Sequence, residues 1–157
     1  MLETQNQNPE QGPEKKKKNT KKKGQKKETL CANELVRNGF KVFYKSTTVK
    51  RGPFWIGLDF ADLFDVIVAR RLPRPPYCEW ILVSVKNWAD RSSFGEERDK
   101  IRKWASEYLL IGMKAQLWAT KKIKENGRER RAWRIWHIGA SKDEDREIIF
   151  KEGEVEL

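Results

Sequence analysis

Asp65 and Lys86 stand at opposite ends of two apolar runs, the aspartate near the start of FDVIVARR and the lysine near the end of WILVSVKNW. A buried ammonium is costly unless a carboxylate or an anionic ligand answers it, so a lysine finishing an apolar run needs such a partner. An acid and an amine brought together suit metal-assisted phosphodiester hydrolysis. There, carboxylates hold a divalent cation near the phosphate while a cationic side chain orients or activates water. Other chemistries fit poorly. His137, the only histidine, sits inside WRIWHIG and is expected to be a packed strand residue rather than part of a Ser-His-Asp site. VKRGPFWIG lacks the spacing and the Lys-Ser/Thr ending of a phosphate-cradling P-loop. Cys31 and Cys78 stand far apart in no zinc spacing and are expected to be reduced.

The elements that must position Asp65 and Lys86 can be read from periodicity. ETLCANELVRNGF places Cys31, Ala32 and Leu35 at helical spacing and stops at Asn38-Gly39, which predicts a short helix from Glu28. FKVFYKS alternates as a half-buried strand does. STTVKRGPFWIGLDFAD, with Gly52-Pro53 and Gly57, reads as a loop. FDVIVARR and WILVSVKNW are two further strands joined by the turn LPRPP. Neighbouring strands of such a meander are antiparallel, so the start of one lies beside the end of the next, and Asp65 meets Lys86 at one sheet edge. A helix starting near Ser92 or Ser93 carries Ile101, Trp104, Ala105 and Tyr108 on one face and ends at Gly112. KAQLWATKK and WRIWHIG follow as two strands. The order αβββαββ predicts an α/β sandwich with a mixed five-stranded sheet, the long helix crossing over between strands three and four.

Charge divides the chain. Residues 1–27 carry +6 and are read as a disordered lysine-rich arm. Residues 28–141 form one domain, and residues 142–157 an acidic segment of −4, which leaves +9 on the middle of a chain of net charge +11. A body this basic points to a nucleic-acid partner, with a charged surface of the thermophile kind as the other reading. No stretch approaches the ~20 apolar residues of a membrane span, and no secretory signal opens the sequence, so the expectation is a cytoplasmic protein that does not engage membranes.

The acid-bearing first helix ending in GF, the FDVIVA strand, the ILVSVK strand, the long helix and the strand pair together resemble the PD-(D/E)xK nuclease superfamily, and most of all the archaeal Holliday junction resolvases. The resemblance spans roughly residues 26–138. It implies a restriction-endonuclease-like core, a Mg²⁺- or Mn²⁺-dependent endonuclease acting on DNA, branched junctions included, and a homodimer. It also implies roles for individual residues: Asp65 as metal-binding aspartate, Lys86 as catalytic lysine, and Glu28, eleven residues before the glycine of GF, as the first-helix metal ligand. Glu28 shares the apolar face with Cys31, Ala32 and Leu35, whereas Glu34 is expected to turn away from it. Lys45, Ser46, Thr47, Lys50 and Arg51 resemble the family's phosphate-contacting loop, and Trp55 could stack on an unpaired base.

One position departs from the pattern. Ser84 stands where the motif demands an acid, and a hydroxyl is a weak Mg²⁺ ligand. Some restriction endonucleases resemble this variant, with the missing glutamate moved to the following helix. At 100° per residue Glu97 falls on the face of Ile101, Trp104 and Ala105 while Glu96 turns outward, which makes Glu97 the candidate displaced ligand. Asp59 and Asp62 are expected to be loop-capping residues. The rival expectation, favoured by Ser84, is a nucleic-acid-binding protein that keeps the fold without the chemistry.

Overall fold

A computed structural model describes residues 20–87 and 91–157. Helix α1 (Thr20–Arg37) is followed by β1 (Lys41–Lys45), β2 (Thr47–Arg51), β3 (Phe54–Leu58), β4 (Val66–Arg71) and β5 (Cys78–Asn87). Helix α2 (Arg91–Tyr108), β6 (Met113–Glu125), β7 (Arg128–Ile138) and β8 (Arg146–Lys151) complete the order. The main sheet runs β1-β4-β5-β6-β7-β8. Only β5 and β6 are parallel, because α2 crosses over between them; every other neighbouring pair is antiparallel. The chain is thus an α/β protein with a mixed sheet and two helices.

Strand alternation divides the core in two. Ile81 and Val83 of β5 pack with Cys31, Ala32 and Leu35 of α1, together with Val66, Val68, Trp118 and Trp133. Leu82 points the other way and joins Phe94 and Ile101 of α2, with Ile67, Leu117 and Trp136. A strand covered by helices on both faces is apolar throughout, which is why WILVSV reads as a continuous run. Gly112 allows α2 to return into β6. Its φ is +83°, and a Cβ there would stand 2.6 Å from the Cys78 carbonyl oxygen.

Four expectations are corrected. The sheet has six strands, not five, since β8 adds to the edge beside β7. The supposed loop after β1 forms the two-stranded β2–β3 hairpin, with Thr47 opposite Leu58 and Arg51 opposite Phe54. Helix α1 begins at Thr20 rather than Glu28, because Lys and Gln are good helix formers and continue a helix without apolar residues. That removes 20–27 from the expected disordered arm; the remainder, 1–19, lies outside the described residues. The acidic segment 142–157, whose role the sequence leaves open, packs as part of the fold. Its acids meet cations of β7 and α2: Glu147 pairs with Arg134, Glu152 with Arg131 at 3.1 Å, and Asp145 with Arg102. Glu34 is also not turned to solvent. It is 2% exposed and accepts the Gly153 backbone N–H at 2.9 Å, while Asn38 Nδ2 donates to the Val155 carbonyl at 2.9 Å.

Among the described residues no helix is long and apolar enough to cross a membrane. If the C-terminal segment closes the core over α1, Val155→Ala should cost about 1–3 kcal/mol for the buried methyls removed. Ile149→Ala, at a side chain 59% exposed, should cost about 0.5 kcal/mol or less. Urea denaturation with an unchanged m-value measures both.

Candidate active site

The β4–β5 register builds the site. Val66 opposes Val83, and the Asp65 N–H donates to the Val83 carbonyl at 2.8 Å, so Asp65 lies beside Ser84 just where β4 begins. One residue further along β5 the Val85 N–H, beyond the first residue of β4, donates to Asp65 Oδ2 at 2.6 Å. On the α2-facing side of β5, Ser84 and Lys86 follow Leu82 at two-residue spacing. They converge on Glu97 of α2. Ser84 Oγ donates to Glu97 Oε1 at 3.0 Å, and Lys86 Nζ lies 3.3 Å from the same oxygen. Glu97 is 8% exposed despite its charge, so helical geometry assigned its face correctly. Lys100 reaches its other oxygen at 4.0 Å.

Glu28 arrives from α1. Its Oε2 accepts from Ser46 Oγ at 2.7 Å, and the Ser46 N–H donates to the Asp65 carbonyl at 2.6 Å. Ser46 is buried at the base of the groove beside Lys45 and Thr47, and its hydroxyl ties the first-helix acid to the aspartate strand. Lys45 and Thr47 line a groove of about 640 Å³ with Lys26, Thr29 and Leu30 of α1, and Lys45 Nζ donates to Thr29 Oγ1 at 2.9 Å. Lys50 and Arg51 lie outside that lining, on the β2–β3 hairpin opposite Trp55 and Phe54. The stacking role expected of Trp55 rests on a side chain outside the described residues.

Asp65 carries the electrostatic signature of the site. Burial is the main reason its pKa rises from 3.8 to about 7; the Val85 N–H opposes the rise, the Asp59 carboxylate adds to it, Lys86 opposes it and Glu28 adds to it. Two further acids therefore press on one buried carboxyl, and Lys86 answers part of that charge while paired with Glu97. Asp59 is the residue that sequence reasoning underrated; the β3 strand returns it from the hairpin towards Asp65. Asp62 lies elsewhere, lining a groove with Lys100 and Lys103. Tyr44 was not foreseen either. Burial pushes its phenol up, and Asp59, Asp65 and Glu28 push it further.

As ligands, these acids do not form a closed cage. Among the described residues no three His, Cys, Asp or Glu side chains stand together as a metal centre. Glu97 is engaged by Ser84 and Lys86, Glu28 by Ser46, and Asp65 by a backbone amide. Asp65 offers a desolvated carboxyl that feels the charge of Asp59 and Glu28 more than it is answered by Lys86. Compared with family models, curated proteins and solved structures, the chain matches none of them.

A raised carboxyl pKa has a definite sign in stability. Folded Asp65 keeps a proton that the unfolded chain releases above about pH 3.8, so its contribution is fullest below that value and is lost as pH rises to about 7. At about 1.4 kcal/mol per pH unit the full penalty is roughly 4 kcal/mol, an upper figure. Asp65→Asn keeps the acceptor for the Val85 N–H without the charge. It should therefore be more stable than the parent by about 1–4 kcal/mol at pH 8 in the absence of divalent ions, with the gap closing near pH 4. Denaturation midpoints across that range read it directly.

Proposed function

We propose that the chain is a divalent-metal-dependent endonuclease that hydrolyses DNA phosphodiesters, with a restriction-endonuclease-like core and a Ser-x-Lys form of the PD-(D/E)xK motif. The observation that carries this reading is the gathering of Asp65, Ser84, Lys86 and Glu97 at one end of the neighbouring strands β4 and β5, with Glu28 tied to the same end through Ser46. A packed structural ion pair would account for Lys86 and Glu97. It would not account for a second buried carboxyl pushed up to about 7 beside Asp59 and Glu28.

In this reading Asp65 and Glu28 would hold Mg²⁺ or Mn²⁺, with Glu97 as the acid on the lysine side. When bound, the ion would stabilise charge on the phosphate and lower the pKa of water. The side chains of this chain do the rest. Val85 N–H fixes the Asp65 carboxylate, and Ser84 Oγ fixes Glu97, so both acids are held by donors before substrate arrives. Lys86, about one-third exposed, keeps Nζ accessible at that end and orients the attacking water or the phosphate oxygen. The groove between α1 and β1–β2, with Lys26 and Lys45, receives the DNA backbone. Junctions, flaps and duplexes all present such phosphates; a branched substrate and a homodimer follow from the resemblance only.

A second reading has its own support. Ser84 in the acid position, and Glu97 spent on Lys86, fit a nucleic-acid-binding protein that retains this architecture without cleaving. Cleavage of branched and linear DNA in Mg²⁺ or Mn²⁺ separates the two. Lys86→Ala and Asp65→Ala should each lower the rate by at least about 10²-fold while binding persists. Mn²⁺ should also raise the melting temperature of the parent protein at pH 8 but not that of Asp65→Asn, since a cation at Asp65 relieves its buried charge. Binding without cleavage, together with no metal-dependent shift, would establish the inactive module.

A further inference from the structure

On the α1-facing side of the sheet, the apolar row of Val83, Trp118 and Trp133 gives way to polar residues at one end. Continuing each strand at two-residue spacing, Val85 is followed by Asn87, Trp118 by Thr120 and Lys122, and Trp133 is preceded by Arg131. Asn87, Thr120, Lys122 and Arg131 line, with Lys26 and Lys27 of α1 and Lys121 of β6, a groove of about 300 Å³ whose walls hold five basic side chains and no carboxylate.

One buried donor lines this end of the groove, and a second lies behind it in the core. Thr120 is 3% exposed, and its Oγ1 has no hydrogen-bond partner. Its direct register partner, Trp133, is fully buried and its Nε1 is likewise unpartnered. An indole N–H can only donate, and a hydroxyl can. A buried donor without an acceptor costs about 1–3 kcal/mol, so neighbouring orphans beneath a cation-lined groove call for an acceptor carrying negative charge. The groove also leads somewhere. Lys26 and Leu30 line both this groove and the larger one beside Lys45.

We propose that this groove carries the phosphodiester backbone of a single polynucleotide strand away from the Asp65–Lys86 end, with Thr120 Oγ1 donating to a phosphate oxygen that Lys122 and Arg131 neutralise. The inference rests on the substrate class proposed above. A slot sunk between a helix and a sheet admits one backbone but not the paired width of a duplex. The cations there are available for exchange. Lys122 pairs with Glu129 at 2.8 Å, but those side chains are 68% and 58% exposed, and such pairs contribute little. Arg131 uses Nη1 on Glu152, leaving other guanidinium donors to a phosphate.

The test is fluorescence anisotropy with a labelled single-stranded oligonucleotide and a blunt duplex, in chelator so that no cleavage intervenes. Lys122→Gln combined with Arg131→Gln should weaken single-strand binding about tenfold or more and flatten its log–log salt slope by about 1.4, two phosphate contacts' worth, with duplex binding little changed. Thr120→Val should weaken it about three- to tenfold at an unchanged salt slope and with no loss of melting temperature, and Thr120→Ser should restore it. Unchanged affinity and slope in the double variant would overturn the proposal, as would equal losses for single strand and duplex. So would a parent protein stabilised by inorganic pyrophosphate yet unable to bind the oligonucleotide. Failure of DNA cleavage in Mg²⁺ would refute the nuclease reading without touching these binding results, and unchanged binding here would leave Lys86-dependent cleavage intact.

Discussion

The pairing of β4 with β5 is the constraint on which the site depends. With Val66 opposite Val83, the ladder ends two residues before Val85, and the Val85 amide is left for the Asp65 carboxylate to accept. A one-residue slip would exchange the two faces of β5, turning Ser84 and Lys86 towards α1 and Val83 towards α2. The apolar rows on both faces forbid the slip, since Ile81 and Val83 belong to one core and Leu82 to the other. Core packing and site geometry are therefore one specification, and the buried carboxyl is stabilised by contacts far larger than its own.

Serine at position 84 leaves the charge beside Lys86 to be supplied from α2. Position 84 is fully buried, so a long side chain there must displace the α2 wall, whereas a hydroxyl leaves space that Glu97 fills from the helix. The serine is then a donor to that carboxylate. Lys86 is drawn between two acids on different elements, paired with Glu97 and attracted by Asp65. That double partnership explains a lysine at the end of an apolar strand. Neither acid alone spans the gap between β4 and α2.

What could be read from the sequence, and what could not, follows the physics of each signal. The pairing of an aspartate strand with a lysine strand was legible because apolar runs of that length have few other ways to be buried, and the inward face of Glu97 was legible from helical periodicity alone. The β8 strand was hidden because its pairing is driven by acids matched to cations on β7, a long-range complementarity that leaves a composition signal but no periodic one. The β2–β3 hairpin was hidden by Gly52-Pro53, which marks a turn equally well inside a loop or between strands. Glu34 was misjudged because its face is polar on the isolated helix and becomes buried only when Gly153 and Val155 cover it. Asp59 reads as a turn residue until the hairpin brings it near Asp65.

The distribution of charge then poses a problem that the site itself resolves. Under the proposed reading, cations around α1 and β1–β2 would attract phosphates, while the acids at their centre would repel them at short range. The C-terminal acids do not ease this, since Glu147, Glu152 and Asp145 are spent on Arg134, Arg131 and Arg102 at the other edge of the sheet and on α2. What remains is a basic rim around an acidic centre. A carboxyl with a pKa of about 7 carries only part of its charge near neutrality, which lowers the repulsion before any cation is present. A divalent ion that displaced this proton would gain a fully ionised ligand, so metal and proton compete for the same buried oxygen pair, and the affinity for one must fall as the other is favoured. Under the proposed reading this competition, set by burial of one aspartate, couples pH to metal occupancy at the end where Lys86 waits.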